Sequence, residues 1–138
     1  MHIILTVDDD WGTRFNNRRQ SRDRALTARI VQLSEKTALW VHPGSLKLFP
    51  EPLPAHLRAD EAFTEKASPG DFCLIEDVSL LPAPEKIEDF IVFRWNRRYP
   101  SDQKFDPALL ESGWALAETS EFPGHSHETI TEERYRRA

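Results

Sequence analysis

Four short, nearly unbroken apolar runs constrain this chain most: Ile3-Ile4-Leu5-Thr6-Val7, Thr37 to Val41, Phe72-Cys73-Leu74-Ile75 and Phe90-Ile91-Val92-Phe93. Each is too short for a buried helix and rich in β-branched or aromatic residues. Each therefore reads as a strand covered on both faces, as in the interior of a parallel sheet. Between the first two, Leu26, Ile30 and Leu33 recur at i, i+4 and i+7, a helical stripe that Ser21 is expected to cap. Trp114 to Phe122 and His127 to Tyr135 alternate instead, and Pro123-Gly124-His125-Ser126 joins them as an antiparallel hairpin. The pattern predicts one α/β domain over 1–138: three layers, with a mostly parallel central sheet and a C-terminal antiparallel hairpin. Strands are expected near 2–7, 37–41, 71–76, 88–95, 114–122 and 127–135.

The connections are consistent with that plan. Pro43-Gly44-Ser45 opens a short helix through Phe49, the prolines at 50, 52 and 54 impose an extended linker, and Asp60 to Ala67 forms a short acidic helix. Leu80 to Lys86 reads as an irregular or short helical bridge. A chain of 138 residues with 39% apolar and 30% charged residues fits one core. No apolar run of membrane-spanning length occurs, and Met1 to Asp8 is too short and too soon charged for a signal peptide, so a cytoplasmic location without a membrane partner is expected. The lone Cys73 sits in an apolar strand and takes no redox role. The net charge of −5 disfavours non-specific nucleic-acid binding. Residues 1–50 are nonetheless basic on balance and 51–90 acidic, which leaves room for a local anionic ligand.

Candidate site residues follow from the rule that parallel sheets bind ligands beyond the carboxyl ends of their strands. Those ends are Asp8 to Trp11, His42, Glu76-Asp77 and Asn96-Arg97-Arg98. Phe15 to Arg24 adds a dense set of donors suited to phosphate or carboxylate oxygens. Arg18, Arg19, Arg22, Arg97, Arg98 and His42 are the substrate-binding candidates, with Arg18, Arg22 and Arg29 expected on one helix face. Trp11, set between acids and a glycine, is placed to stack on a planar ring. Asp23 is either a ligand-facing carboxylate or a complement to the helix dipole. His127 is a candidate proton shuttle. His125, His127 and Glu128 fall short of a zinc set, which needs a further ligand, so no metal is assigned. Neither a Gly-x-Ser-x-Gly elbow nor an exposed thiol marks a nucleophile.

The order of elements resembles a shortened dihydrofolate reductase. Its carriers are the opening strand, the Trp11-Gly12 loop, a helix bearing Asp23, and a close through Trp114, Ser120-Glu121-Phe122, Ser126-His127 and Arg136-Arg137. The resemblance implies a small-molecule enzyme or binder related to the pterin reductases. Asp23 stands where the family's carboxylate binds and helps protonate the pterin, and NADPH would be the cofactor. Where the family places two glycines, Glu76-Asp77 stand instead, and two carboxylates there repel a pyrophosphate, so NADPH stays unassigned. The chain also resembles short bacterial proteins named ribonuclease Z, which share Phe15-Asn16, Arg18 to Asp23 and Ser126-His127-Glu128; that name implies a metal-dependent hydrolase. The rival class is a non-enzymatic interaction module or homodimer, contacting through the basic helix face, the acidic 51–90 surface or the hairpin edge.

Overall fold

The computed structural model describes all of residues 1–138. In chain order the strands are β1 His2–Val7, β2 Gly12–Phe15, β3 Arg18–Arg19, β4 Leu39–Val41, β5 Leu57–Ala59, β6 Phe72–Leu74, β7 Asp89–Arg94, β8 Gln103–Lys104, β9 Trp114–Pro123 and β10 Thr129–Arg137. The α-helices are α1, Arg24–Leu33, and α2, Phe63–Lys66. The main sheet runs β5-β4-β6-β1-β7-β10-β9. Its first five strands pair in parallel, and β10 pairs antiparallel with both β7 and β9. The mostly parallel sheet with an antiparallel C-terminal hairpin is therefore present as read.

Continuous apolarity in the inner strands has the expected cause, because side chains alternate between two buried faces. On one face Ile4, Leu74, Ile91 and Phe93 meet Leu26 and Ile30 of α1. On the other, Ile3, Leu5, Val7, Cys73 and Val92 meet Phe63, Phe105 and Leu110. That second cover is mainly loops and 3₁₀ turns, at Val78–Leu80, Pro84–Lys86 and Pro107–Leu110, with α2 as its single α-helical turn. The helix expected over Asp60 to Ala67 shrinks to α2, and the one expected from Ser45 to Phe49 is a 3₁₀ turn, Pro43–Leu48, capped by His42.

Two readings of the sequence are corrected. Arg18 does not lie on a helix: β2 and β3 form a hairpin whose turn residues, Asn16 and Asn17, have φ of 52° and 57°. Asparagine tolerates this left-handed pair, which a two-residue hairpin turn of the primed type requires. With β8 the hairpin makes a second sheet, β3-β2-β8, beside the carboxyl edge of the first. Arg18, Arg22 and Arg29 consequently share no helix face, and Arg29 instead forks onto Glu132 with bonds of 2.7 and 3.1 Å. The helix cap is Asp23 rather than Ser21, with Ala25 and Leu26 N–H donating to its side chain.

Candidate functional site

The carboxyl ends of β1, β6 and β7 deliver Asp8, Glu76 and Trp95 to one rim, and each is fixed by a different contact. Asp8 is buried; its Oδ1 accepts from Gly12 N–H at 2.7 Å and Asp10 N–H at 2.9 Å, and its Oδ2 from Gln20 and from Tyr99 N–H. Burial pushes its carboxyl up, but the bonds from Tyr99, Gly12, Asp10 and Gln20 outweigh that and hold it below the ordinary range. Asp8 thus ties the end of β1 to the hairpin and to the loop after β7. Gly12 is required there, since a Cβ would lie 2.6 Å from Gln20 Nε2 and 2.7 Å from Ser101 Cβ.

Asp23 and His127 meet, although 104 positions separate them. His127 Nδ1 lies 2.9 Å from Asp23 Oδ2, and its ring stacks on Trp95 at 4.5 Å between centroids. Both oxygens of Asp23 are taken up: Oδ1 by Ala25, Leu26 and His125 N–H, and Oδ2 by Ser126 N–H, Ser126 Oγ and His127 N–H besides the imidazole. Burial raises the carboxyl's pKa, but this ring of donors, His125 N–H foremost, overrides it and leaves Asp23 ionised far below the usual carboxylate range. With its side chain 0% exposed, Asp23 staples the start of α1 to the β9–β10 turn. The other imidazole nitrogen, Nε2, faces Tyr99 Oη at 2.8 Å and Ser21 Oγ at 3.1 Å.

Arg18, Arg19 and His42 do converge. They line a cleft of about 510 Å³ between the β2–β3 hairpin and the Pro43–Leu48 turn, together with Arg14, Asn17, Ser45, Lys47, Glu76 and Asp77. Glu76 and Asp77 are neutralised in place. Arg19 grips Glu76 with two bonds of 2.7 and 2.9 Å, which raise the guanidinium's pKa, and Ser45 Oγ donates to the same carboxylate at 2.7 Å. Arg14 stands 3.2 Å from Asp77. Arg18 and Lys47 form no ion pair and leave the cleft cationic. The repulsion expected from two free carboxylates is therefore removed by arginines the hairpin supplies. A second cleft, about 550 Å³, opens on the other side of β3 between Phe15, Arg18, Gln20 and Tyr99.

Arg22 and Asp23 border a separate groove of about 670 Å³, where Ala28 and Val31 of α1 face Leu48 and the prolines at 50, 52 and 54. Trp11, Arg97 and Arg98 line none of these clefts. Trp11, at φ 62°, packs at 5.9 Å from Phe105 and is covered by the Arg94 guanidinium at 4.2 Å. Arg98 reaches back to Asp10 at 3.2 Å, and Arg97 is exposed on the same loop. Lys47 and Tyr99 were missed in the sequence, while Asn17 and Ser21 were read only within the donor-rich stretch Phe15 to Arg24, Ser21 also as a helix cap. Asn16-Asn17 was the available signal, since reading it as a hairpin turn brings Arg18 and Arg19 back over the strand ends.

Comparison with solved structures finds a dihydrofolate reductase from Enterococcus faecalis, complexed with NADP(H) and RAB-propyl. It superposes with a TM-score of 0.67 at 10% identity, over 99% of this chain and 95% of that one. The fold is therefore that of the dihydrofolate reductases. No protein-family model and no curated protein matches the chain. No helix is long and apolar enough to cross a membrane.

Proposed function

We propose that this protein is a small-molecule enzyme or binder related to the pterin reductases, and that it takes an anionic ligand in the cationic cleft between the β2–β3 hairpin and the Pro43–Leu48 turn. The observation that carries this reading is the convergence of Arg18, Arg19 and His42 with Lys47 at the carboxyl edge of a parallel sheet, the position where α/β folds bind ligands. Arg18 and Lys47 supply charge to a phosphate or carboxylate, and the separate 670 Å³ groove offers apolar walls to a planar body. NADPH fits the charge of the cleft. It does not fit a glycine-type approach of backbone to pyrophosphate, because Glu76 and Asp77 carry side chains there. The cofactor is accordingly proposed only as one of several anionic candidates. A thermal-shift series with folates, pterins, nucleotides and NADPH tests the reading, since a ligand bound only by the native state raises Tm by mass action. We expect a rise of several degrees with at least one phosphate-bearing member that is lost in Arg18→Ala. No rise with any member would reject the proposal.

The rival reading, a protein-interaction module or homodimer, draws on the open edge of β9. Nearly all of its ten residues are exposed, with Leu116 at 51%.

A further inference from the structure

Ser21, His127 and Asp23 are disposed atom for atom as a nucleophile, a base and the carboxylate that orients it. Asp23 Oδ2 lies 2.9 Å from Nδ1, and Ser21 Oγ lies 3.1 Å from Nε2. The carboxylate is buried and ionised, the imidazole is held flat against Trp95, and the serine is half-buried at the rim. Such geometry fixes the tautomer with hydrogen on Nδ1 and leaves the Nε2 lone pair directed at a hydroxyl. Two hydroxyls compete for it, Ser21 Oγ and Tyr99 Oη, of which the aliphatic one becomes the stronger nucleophile when its proton is taken. A helix cap alone needs only the carboxylate and the N–H groups of Ala25 and Leu26; it does not call for a histidine and a serine in line behind it.

We propose that Ser21 is an acyl-accepting nucleophile, activated by His127 as general base, with Asp23 as positioning residue, and that the site hydrolyses small carboxylic esters. In the first step the Ser21 Oγ–carbon bond forms at the ester carbonyl while its proton passes to His127 Nε2. The tetrahedral adduct collapses with rupture of the ester C–O bond, and the imidazolium returns the proton to the leaving alcohol. Water then attacks the acyl-serine along the same path, regenerating Ser21 and releasing the acid. Arg22 and Asp23, the next two residues after Ser21, border the 670 Å³ groove, and the proposal seats the apolar part of the ester there.

The test is covalent labelling with an alkyl fluorophosphonate, in which the Ser21 Oγ–P bond replaces P–F and fluoride leaves. Intact mass and peptide mapping of the wild-type chain should show one adduct, on Ser21, and p-nitrophenyl butyrate should be hydrolysed with a burst of one p-nitrophenolate per chain. Ser21→Ala should lose both signals while its thermal melt stays within a few degrees of wild type. Folded wild-type protein that takes no label at Ser21, or label and hydrolysis that persist in Ser21→Ala, would overturn the assignment. Because the cationic cleft contributes nothing to this readout, failure here leaves the ligand proposal standing, and the reverse holds as well.

Discussion

At the residue scale Asp23 decides most, because its two oxygens hold a helix start and a distant turn together. Were it only a complement to the helix dipole, neutralising it would cost roughly 0.3–1 kcal/mol. The structure gives it seven hydrogen-bond contacts and a side chain with no exposure. Asparagine can accept on one side only and turns an NH₂ toward the N–H groups of Ser126 and His127. Asp23→Asn should therefore lose about 3 kcal/mol, a typical value for breaking a charge-assisted buried network; urea denaturation measures it, and a loss below about 1 kcal/mol would contradict the staple. The pH dependence has a definite sign. The folded pKa is depressed, so the stabilisation is complete above the unfolded value near 3.9 and is lost as pH falls through the lower folded value. Wild type should lose stability steeply below about pH 4, and Asp23→Asn should show a shallower slope there. Sequence reading singled out Asp23 and His127 separately. Their contact was not legible because it joins the first third of the chain to the last, and no local periodicity encodes such a pairing.

At the element scale, what was legible tracks length and burial. β1, β7, β9 and β10 are long enough to show a pattern, and their bounds were read to within two residues. β2, β3, β5 and β8 have two to four residues, too few for a period to show, and the arginines of β3 imitate an exposed helix face. Missing that hairpin also hid the pairing of Arg19 with Glu76, and so inverted the electrostatics inferred for the strand ends. In Glu76→Gln, Arg19 keeps its place through the amide oxygen but its charge is no longer cancelled, so the cleft gains one net positive charge. At an effective dielectric of about 20 and a separation of about 8 Å that is worth about 2 kcal/mol before salt screening. Pyrophosphate should bind about tenfold more tightly than to wild type in low-salt calorimetry, and Arg18→Ala should weaken it comparably. An affinity unchanged or lowered in Glu76→Gln would mean that the anion does not sit between β3 and the Pro43–Leu48 turn.

At the scale of the whole molecule the topology was readable because four apolar runs can be buried on both faces only inside a parallel sheet, with the alternating hairpin at its margin. The cover on the Phe63 and Phe105 face was less readable, since loops and 3₁₀ turns pack through single side chains and carry no stripe. The same sheet order determines how copies of the chain meet. One edge is β5, three residues long and preceded by prolines at 50, 52 and 54; the other is β9, which bears Glu118 and Glu121 and ends on Pro123. A register shift in its partner β10, between Arg134 and Tyr135, adds local twist to that margin. Short length, charge, proline and twist are the devices that keep a sheet edge from pairing with another, and a net charge of −5 adds mutual repulsion. Light scattering at physiological salt and tens of micromolar protein should accordingly return the monomer mass of 16.0 kDa. A doubled mass would support the homodimer reading instead, and β9 would then be the surface responsible: Leu116→Glu, by setting another carboxylate on the exposed strand, should restore the monomer without changing the melt of the isolated fold.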